Sequence, residues 1–149
     1  MSNINVIIPT FNESLNIIKV IDELRDALSD LDYEIIVVDD NSPDKTHEKI
    51  KNYVNKNKIH NISCINRTWK KGLSSAVIEG IGLSKNNNLC VMDGDGQHDP
   101  QNILEMLRII NAGGVDLVIG SRFFNVNQSN EDWVADFCIP GEENLFCNF

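Results

Sequence analysis

Five short runs of β-branched and aliphatic residues alternate with four segments whose apolar residues recur three and four apart, and this alternation restricts the chain to an α/β fold. Residues 4–8 form the first run, stopped by Pro9, and Ile17, Ile21, Leu24, Leu28 and Leu31 then mark one helical face. Residues 33–38 form the second run, closed by Asp39 and Asp40, after which Ser42 is placed to cap a helix opening at Pro43. The pattern continues with strands over 59–65, 89–92 and 115–119. The helix faces between them are Leu73, Ala76, Val77, Gly80 and Ile81, then Ile103, Leu107 and Ile110. Strands joined by helices of this length predict a mostly parallel sheet with helices on both faces, and such sheets bind ligands beyond the carboxyl ends of their strands. Residues that carry chemistry are therefore expected just after strands.

The chain has 149 residues, enough for one α/β domain, and its net charge of −9 opposes a nucleic-acid backbone or an anionic membrane surface. No nucleic-acid partner is expected. Cys64, Cys90, Cys138 and Cys147 show no CxxC spacing and read as reduced thiols. No signal-peptide layout and no bilayer-length apolar stretch is visible, so the expected location is cytoplasmic, with membrane contact made from the cytoplasmic face. Periodicity fades after residue 124. Residues 125–149 carry five acidic residues and no Lys or Arg, which divides the chain into a domain over 1–124 and an atypical acidic, irregular segment over 125–149.

Asp93 and Asp95 follow the fourth strand, where a period of two turns both carboxylates to one side. Two convergent carboxylates suit a hard divalent ion such as Mg²⁺ or Mn²⁺, which takes its other ligands from phosphate and water; Gln97 could add a carbonyl oxygen. Asp30 and Asp32 share the spacing but follow a helix, and read as solvated charges. After the first strand, Pro9, Thr10, Phe11, Asn12 and Glu13 combine polar groups with an aromatic face, with helix capping as the plainer reading. Asp39 and Asp40 follow the second strand, where turn chemistry is the plainer reading. Arg67, Lys70 and Lys71 form a compact basic group after the third strand, and Ser121 and Arg122 follow the fifth, where a guanidinium can clamp a phosphate.

No GxGxxG follows the first strand, and no GxxxxGK[ST] or GxSxG occurs, which removes dehydrogenase, P-loop and α/β-hydrolase readings. His47, His60 and His98 are too scattered for zinc, although His98 stands beside the carboxylate pair.

In order, residues 6–13 (VIIPTFNE), 36–44 (IVVDDNSPD), Arg67 with Lys70, Gly72 and Leu73, residues 93–98 (DGDGQH) and residues 120–122 (GSR) resemble the successive signatures of family 2 glycosyltransferases. Within that family they look most like polyprenyl-phosphate (dolichyl-phosphate) mannosyltransferases, over roughly residues 4–123. The resemblance implies a GT-A fold in which Pro9, Thr10, Phe11, Glu13 and Asp40 hold the nucleoside of a nucleotide sugar, GDP-mannose or a UDP-sugar, with Asp39 and Lys70 also among the residues that bind it. It implies that Asp93, Asp95 and Gln97 hold metal and diphosphate, that Arg122 faces the phosphates, and that Asp95 and Arg122 take part in catalysis. It also implies an inverting transfer to a polyprenyl phosphate.

Members of that kind continue past the Gly-Ser-Arg segment with basic residues, where this chain is acidic, so the C-terminus is read as truncated. Three alternatives follow: a transferase using another sugar or a soluble or polysaccharide acceptor, a shortened protein that binds nucleotide and metal without turnover, and an interaction module reusing the fold. An incomplete domain exposing apolar surface also has reason to form a homo-oligomer.

Overall fold

The computed structural model describes residues 3–69, 71–121, 134–139 and 145–148. Its elements run β1 (Asn3–Thr10), α1 (Ile17–Ala27), β2 (Asp32–Asp39), α2 (Thr46–Asn57), β3 (Ile62–Asn66), α3 (Leu73–Leu83), β4 (Asn88–Met92), α4 (Gln101–Asn111), β5 (Leu117–Ser121), β6 (Val134–Ile139) and β7 (Leu145–Asn148). One seven-stranded sheet has the order β3-β2-β1-β4-β7-β5-β6. All its pairings are parallel except β5 with β6. The sequence led us to expect five strands and an irregular 125–149. The two additional strands, VADFCI and LFCN, are six- and four-residue segments, each interrupted or ended by a polar residue (Asp136, Asn148) and too short to carry a period.

β1 is buried from Ile4 onward and β2 from Ile35 onward, which explains their continuous apolar runs. Thr10 pairs with Asp39, and Asp39 with Asn66, so β1, β2 and β3 finish level at one edge. The chain steps outward from β1 to β3 and then returns to place β4 on β1's other side, so the strand order reverses between β1 and β4. Such a reversal opens a crevice between the loops at the two strand ends.

The two faces of the sheet are filled unequally. Ile17, Val20, Ile21, Leu24 and Leu28 of the α1 segment, Ile50 of α2, and Ile103, Met106, Leu107 and Ile110 of α4 pack on one face with Ile4, Val6, Ile8, Ile35 and Val37. The other face is served by α3, whose Ala76, Val77 and Ile81 meet Ile7, Ile36, Val38 and Val91. Gly80 lets α3 come close: a Cβ there would lie 2.5 Å from Cγ2 of Ile7. Leu73, expected on the buried face of α3, is 52% exposed.

Candidate functional site

The loop after β1 is fastened before its helix begins. Asn12 sits in the left-handed region (φ 63°), which Asn tolerates better than most residues. Three successive backbone N–H groups then donate to side chains of the β2–α2 connection: Asn12 to Ser42 Oγ (2.9 Å), Glu13 to Thr46 Oγ1 (3.0 Å) and Ser14 to Asp44 Oδ2 (2.9 Å). Asp44 also accepts from Thr46. Burial pushes its carboxyl up, but the hydrogen bonds from Thr46 and Ser14 outweigh this and hold it below the usual range. Ser42 therefore does not cap a helix at Pro43, because α2 starts three residues after Pro43, at Thr46, and Ser42 is spent across the loops. Ser42, Asp44 and Thr46 escaped the sequence reading because their spacing imitates capping. The neighbouring left-handed Lys45 (φ 64°) is the turn that frees them.

The two aspartates after β2 have different jobs. Asp39 is fully buried, accepting from Thr10 Oγ1 (2.9 Å), Ser42 N (2.9 Å) and Ser42 Oγ (2.5 Å). Expected at the nucleotide, it braces the two loops and is not among the residues that line the cleft. Asp40 lines the cleft. Arg67, read from sequence as part of a compact basic group after β3, is buried against Asp40. It donates to Asp40 Oδ1 from Nε (2.6 Å) and from Nη2, and to Ser75 Oγ (2.8 Å) and the Gly72 carbonyl (3.1 Å). A guanidinium this committed is not available to a phosphate.

Between the ends of β1 and β4 lies a cleft of about 240 Å3 lined by Pro9, Thr10, Phe11, Glu13, Asp40, Leu73, Ala76, Asp93, Gly94 and Asp95. The sequence reading did not anticipate Leu73 and Ala76, which the α3 N-terminus contributes as an apolar wall. Gly94 is a close-approach position: a Cβ would stand 3.0 Å from Thr10 Cγ2 and 3.3 Å from both Ile17 Cδ1 and Ile8 Cγ2. This contact fixes the turn that presents Asp93 and Asp95. Lys71 lies over the Phe11 ring, 5.4 Å from its centroid.

His98 is buried, with Nε2 3.8 Å from Asp93 Oδ2. Gln97, expected as a metal ligand, lines a neighbouring depression of about 480 Å3 with Glu23 and Asp26. The positive φ of Gly96 (80°) turns the chain away from the first cleft, and Gln97 contributes its backbone N–H to Asp95 Oδ1 at 2.9 Å. Among the described residues no group of three or more His, Cys, Asp or Glu could hold a metal unaided. Two half-buried carboxylates on one cleft nevertheless fit a Mg²⁺ or Mn²⁺ ion that draws further ligands from phosphate and water. Lys70 and Arg122 fall outside the described residues.

A cleft at the reversal of strand order, carboxylates on its β4 side and an aromatic, polar loop on its β1 side make up a GT-A domain. The chain belongs to glycosyl transferase family 2, whose model matches residues 5–147, beyond the 4–123 that the motifs cover. It is similar to the dolichol-phosphate mannosyltransferase of Pyrococcus furiosus, 43% identical over 120 residues, covering 80% of this chain and 33% of that protein. It is also similar to the dolichol-phosphate mannosyltransferase of Mycosarcoma maydis (33% identical; 87% and 45% covered) and the undecaprenyl-phosphate mannosyltransferase of Micrococcus luteus (37%; 78% and 46%). The chain thus spans a third to just under a half of these curated relatives. Among solved structures, the fold matches a mannosyltransferase of Pyrobaculum calidifontis in complex with GDP-Man and Mn2+, with TM-score 0.66 and 20% identity, covering 78% of this chain and 34% of that one. It matches S. aureus TarS with TM-score 0.64 and 23% identity, covering 87% and 38%. Among the described residues no helix is long and apolar enough to cross a membrane.

Proposed function

We propose that this chain carries the donor site of a metal-dependent glycosyltransferase that moves mannose from a nucleotide sugar to a polyprenyl phosphate with inversion, at the cytoplasmic face of a membrane. The observation that carries this reading is the single cleft joining the β1 loop to the β4 carboxylates. The mannosyltransferase names of relatives at 33–43% identity support the sugar and the acceptor.

In this reading Pro9, Thr10, Phe11, Glu13 and Asp40 hold the nucleoside, with Phe11 offering a ring face and Asp40 an acceptor oxygen. Asp93 and Asp95 hold the diphosphate end through a Mg²⁺ or Mn²⁺ ion, which when bound supplies charge that stabilises the departing nucleoside diphosphate. Lys70 and Arg122 add positive charge at the phosphates. Asp95 is kept in place by the Gln97 backbone N–H, and the Asp93–Asp95 turn by the tight seat of Gly94. The acceptor attacks the anomeric carbon from the face opposite the leaving group. A phosphate acceptor is already ionised near neutral pH, so the chain needs no dedicated base.

Calorimetric titration of GDP and UDP with and without Mn²⁺, on the wild-type chain and Asp95→Ala, tests the donor site. Metal-dependent binding that disappears in Asp95→Ala is expected, followed by transfer of labelled mannose from GDP-mannose to a polyprenyl phosphate. Folded protein that binds neither nucleotide would sink the proposal. Transfer only to a water-soluble acceptor would redirect it to the alternative acceptor class.

A further inference from the structure

Arg67 and Asp40 form a buried pair with an uneven distribution of hydrogen bonds. Both Arg67 donors that reach Asp40, Nε and Nη2, go to Oδ1. Oδ2 receives the Gly72 N–H at 2.7 Å. A carboxylate oxygen accepts about two strong hydrogen bonds, so Oδ1 is filled while Oδ2 keeps room for one more. Arg67 is held in turn by Ser75 Oγ (2.8 Å), the Gly72 carbonyl (3.1 Å) and the Glu79 carboxylate (3.6 Å), so three of its partners come from α3 and the residue before it. Gly72 has φ 121°, a conformation that side-chain-bearing residues rarely adopt, and it gives its N–H to Asp40 and its carbonyl to Arg67.

We infer that Arg67 is a positioning residue that sets the nucleobase selectivity of the cleft: it closes one oxygen of Asp40, so the site reads a single N–H donor of the base instead of a pair. This rests on the assignment of Asp40 to the nucleoside made above. Guanine offers two adjacent donors, its ring N1–H and its 2-amino group, and a carboxylate with both oxygens open would take them as a fork. With Oδ1 closed, only one can bind Asp40. The 2-amino group then adds little, and GDP and IDP become near equivalents. Arg67 touches neither base nor phosphate, and its effect reaches the ligand through Asp40 and through the Gly72 turn that leads into the Leu73 and Ala76 wall.

The test is titration of GDP and of IDP, each with Mn²⁺, and of Mn²⁺ pyrophosphate, into the full chain and into Arg67→Lys. The lysine keeps the charge and loses the fork. Wild type is expected to bind GDP and IDP within about threefold of each other. Arg67→Lys opens Oδ1 to the 2-amino group, so it should raise the preference for GDP over IDP to more than about threefold while leaving pyrophosphate within about twofold, because the diphosphate end is built on β4. Should Arg67→Lys fail to fold, Ser75→Ala removes one support of the guanidinium without touching a charge, and a rise of about twofold in the GDP-to-IDP affinity ratio with pyrophosphate unchanged is expected. A wild-type preference for GDP over IDP of about tenfold or more overturns the inference. So does a folded Arg67→Lys that keeps GDP and IDP within about threefold of each other, or one that loses pyrophosphate along with both nucleotides. If the chain takes UDP and not GDP, UDP and its N3-methyl analogue are the probes, and a methyl group that costs less than about threefold overturns it. Wild-type protein that binds no nucleotide fails the proposed function and this inference together, whereas the other outcomes fail the inference alone.

Discussion

The two faces of the sheet differ in what holds them and in what they do. Among the described residues, nineteen buried residues fill the face covered by α1, α2 and α4, against five on the face covered by α3. Stability is concentrated on the first face. Yet the second supplies the Leu73 and Ala76 wall of the cleft and the Gly72 turn that meets Asp40. The helix that lines the cleft is thus the one with the smallest core beneath it, a division that would let cleft contacts vary without dismantling the fold.

Substitutions on each face break or sharpen this contrast. The largest effect belongs to the thick face: Leu24→Ala, at a fully buried position, is expected to cost about 2–5 kcal/mol in urea denaturation. A loss under about 1 kcal/mol would remove the distinction between faces. On the thin face, Gly80→Ala drives a methyl to 2.5 Å from Ile7 Cγ2 and 3.3 Å from Val38 Cγ2. About 1–3 kcal/mol should be lost as α3 is pushed outward, together with weaker nucleotide binding read by calorimetry.

The pH dependence of stability probes the thick face again through Cys64, which packs against its core. Burial, reinforced by the charge of Asp39, pushes its thiol from the usual 9.0 up to about 12. The folded state keeps this proton while the unfolded chain loses it. The stability it represents is therefore whole below pH 9.0 and is lost as pH rises toward about 12. Urea midpoints measured upward from pH 8 should fall more steeply for wild type than for Cys64→Ala. Equal slopes would show that the thiol ionises as freely folded as unfolded. The smallest effect is expected for Ile78→Gln on the outer side of α3, where 66% exposure predicts a change within about 0.5 kcal/mol.

Sequence patterning revealed the order of the first nine elements, because strands buried on both faces and helices with one apolar stripe leave strong periodic traces; Ile17, Ile21 and Leu24 lie where their spacing requires. Boundaries shifted where local chemistry served distant partners, as in α2, which begins at Thr46 because Ser42 and Asp44 serve the β1 loop. Strands β6 and β7 were not legible, since segments this short owe their state to neighbouring strands. At the site, position after a strand picked out Thr10, Phe11, Glu13, Asp40, Asp93 and Asp95, all of which line one cleft. It could not separate Asp39 from Asp40, or foresee that Arg67 would turn inward. Adjacent residues at a strand end point opposite ways, and burial, which composition does not reveal, decides which of them meets a ligand.

The three backbone bonds that fasten residues 12–14 to Ser42, Thr46 and Asp44 have a kinetic consequence. A loop that ordered itself around its ligand would bind in two stages and surrender chain entropy at each encounter. This loop has surrendered it during folding. Nucleotide capture should therefore proceed in a single phase, at a rate set by diffusion and by the charges around the cleft.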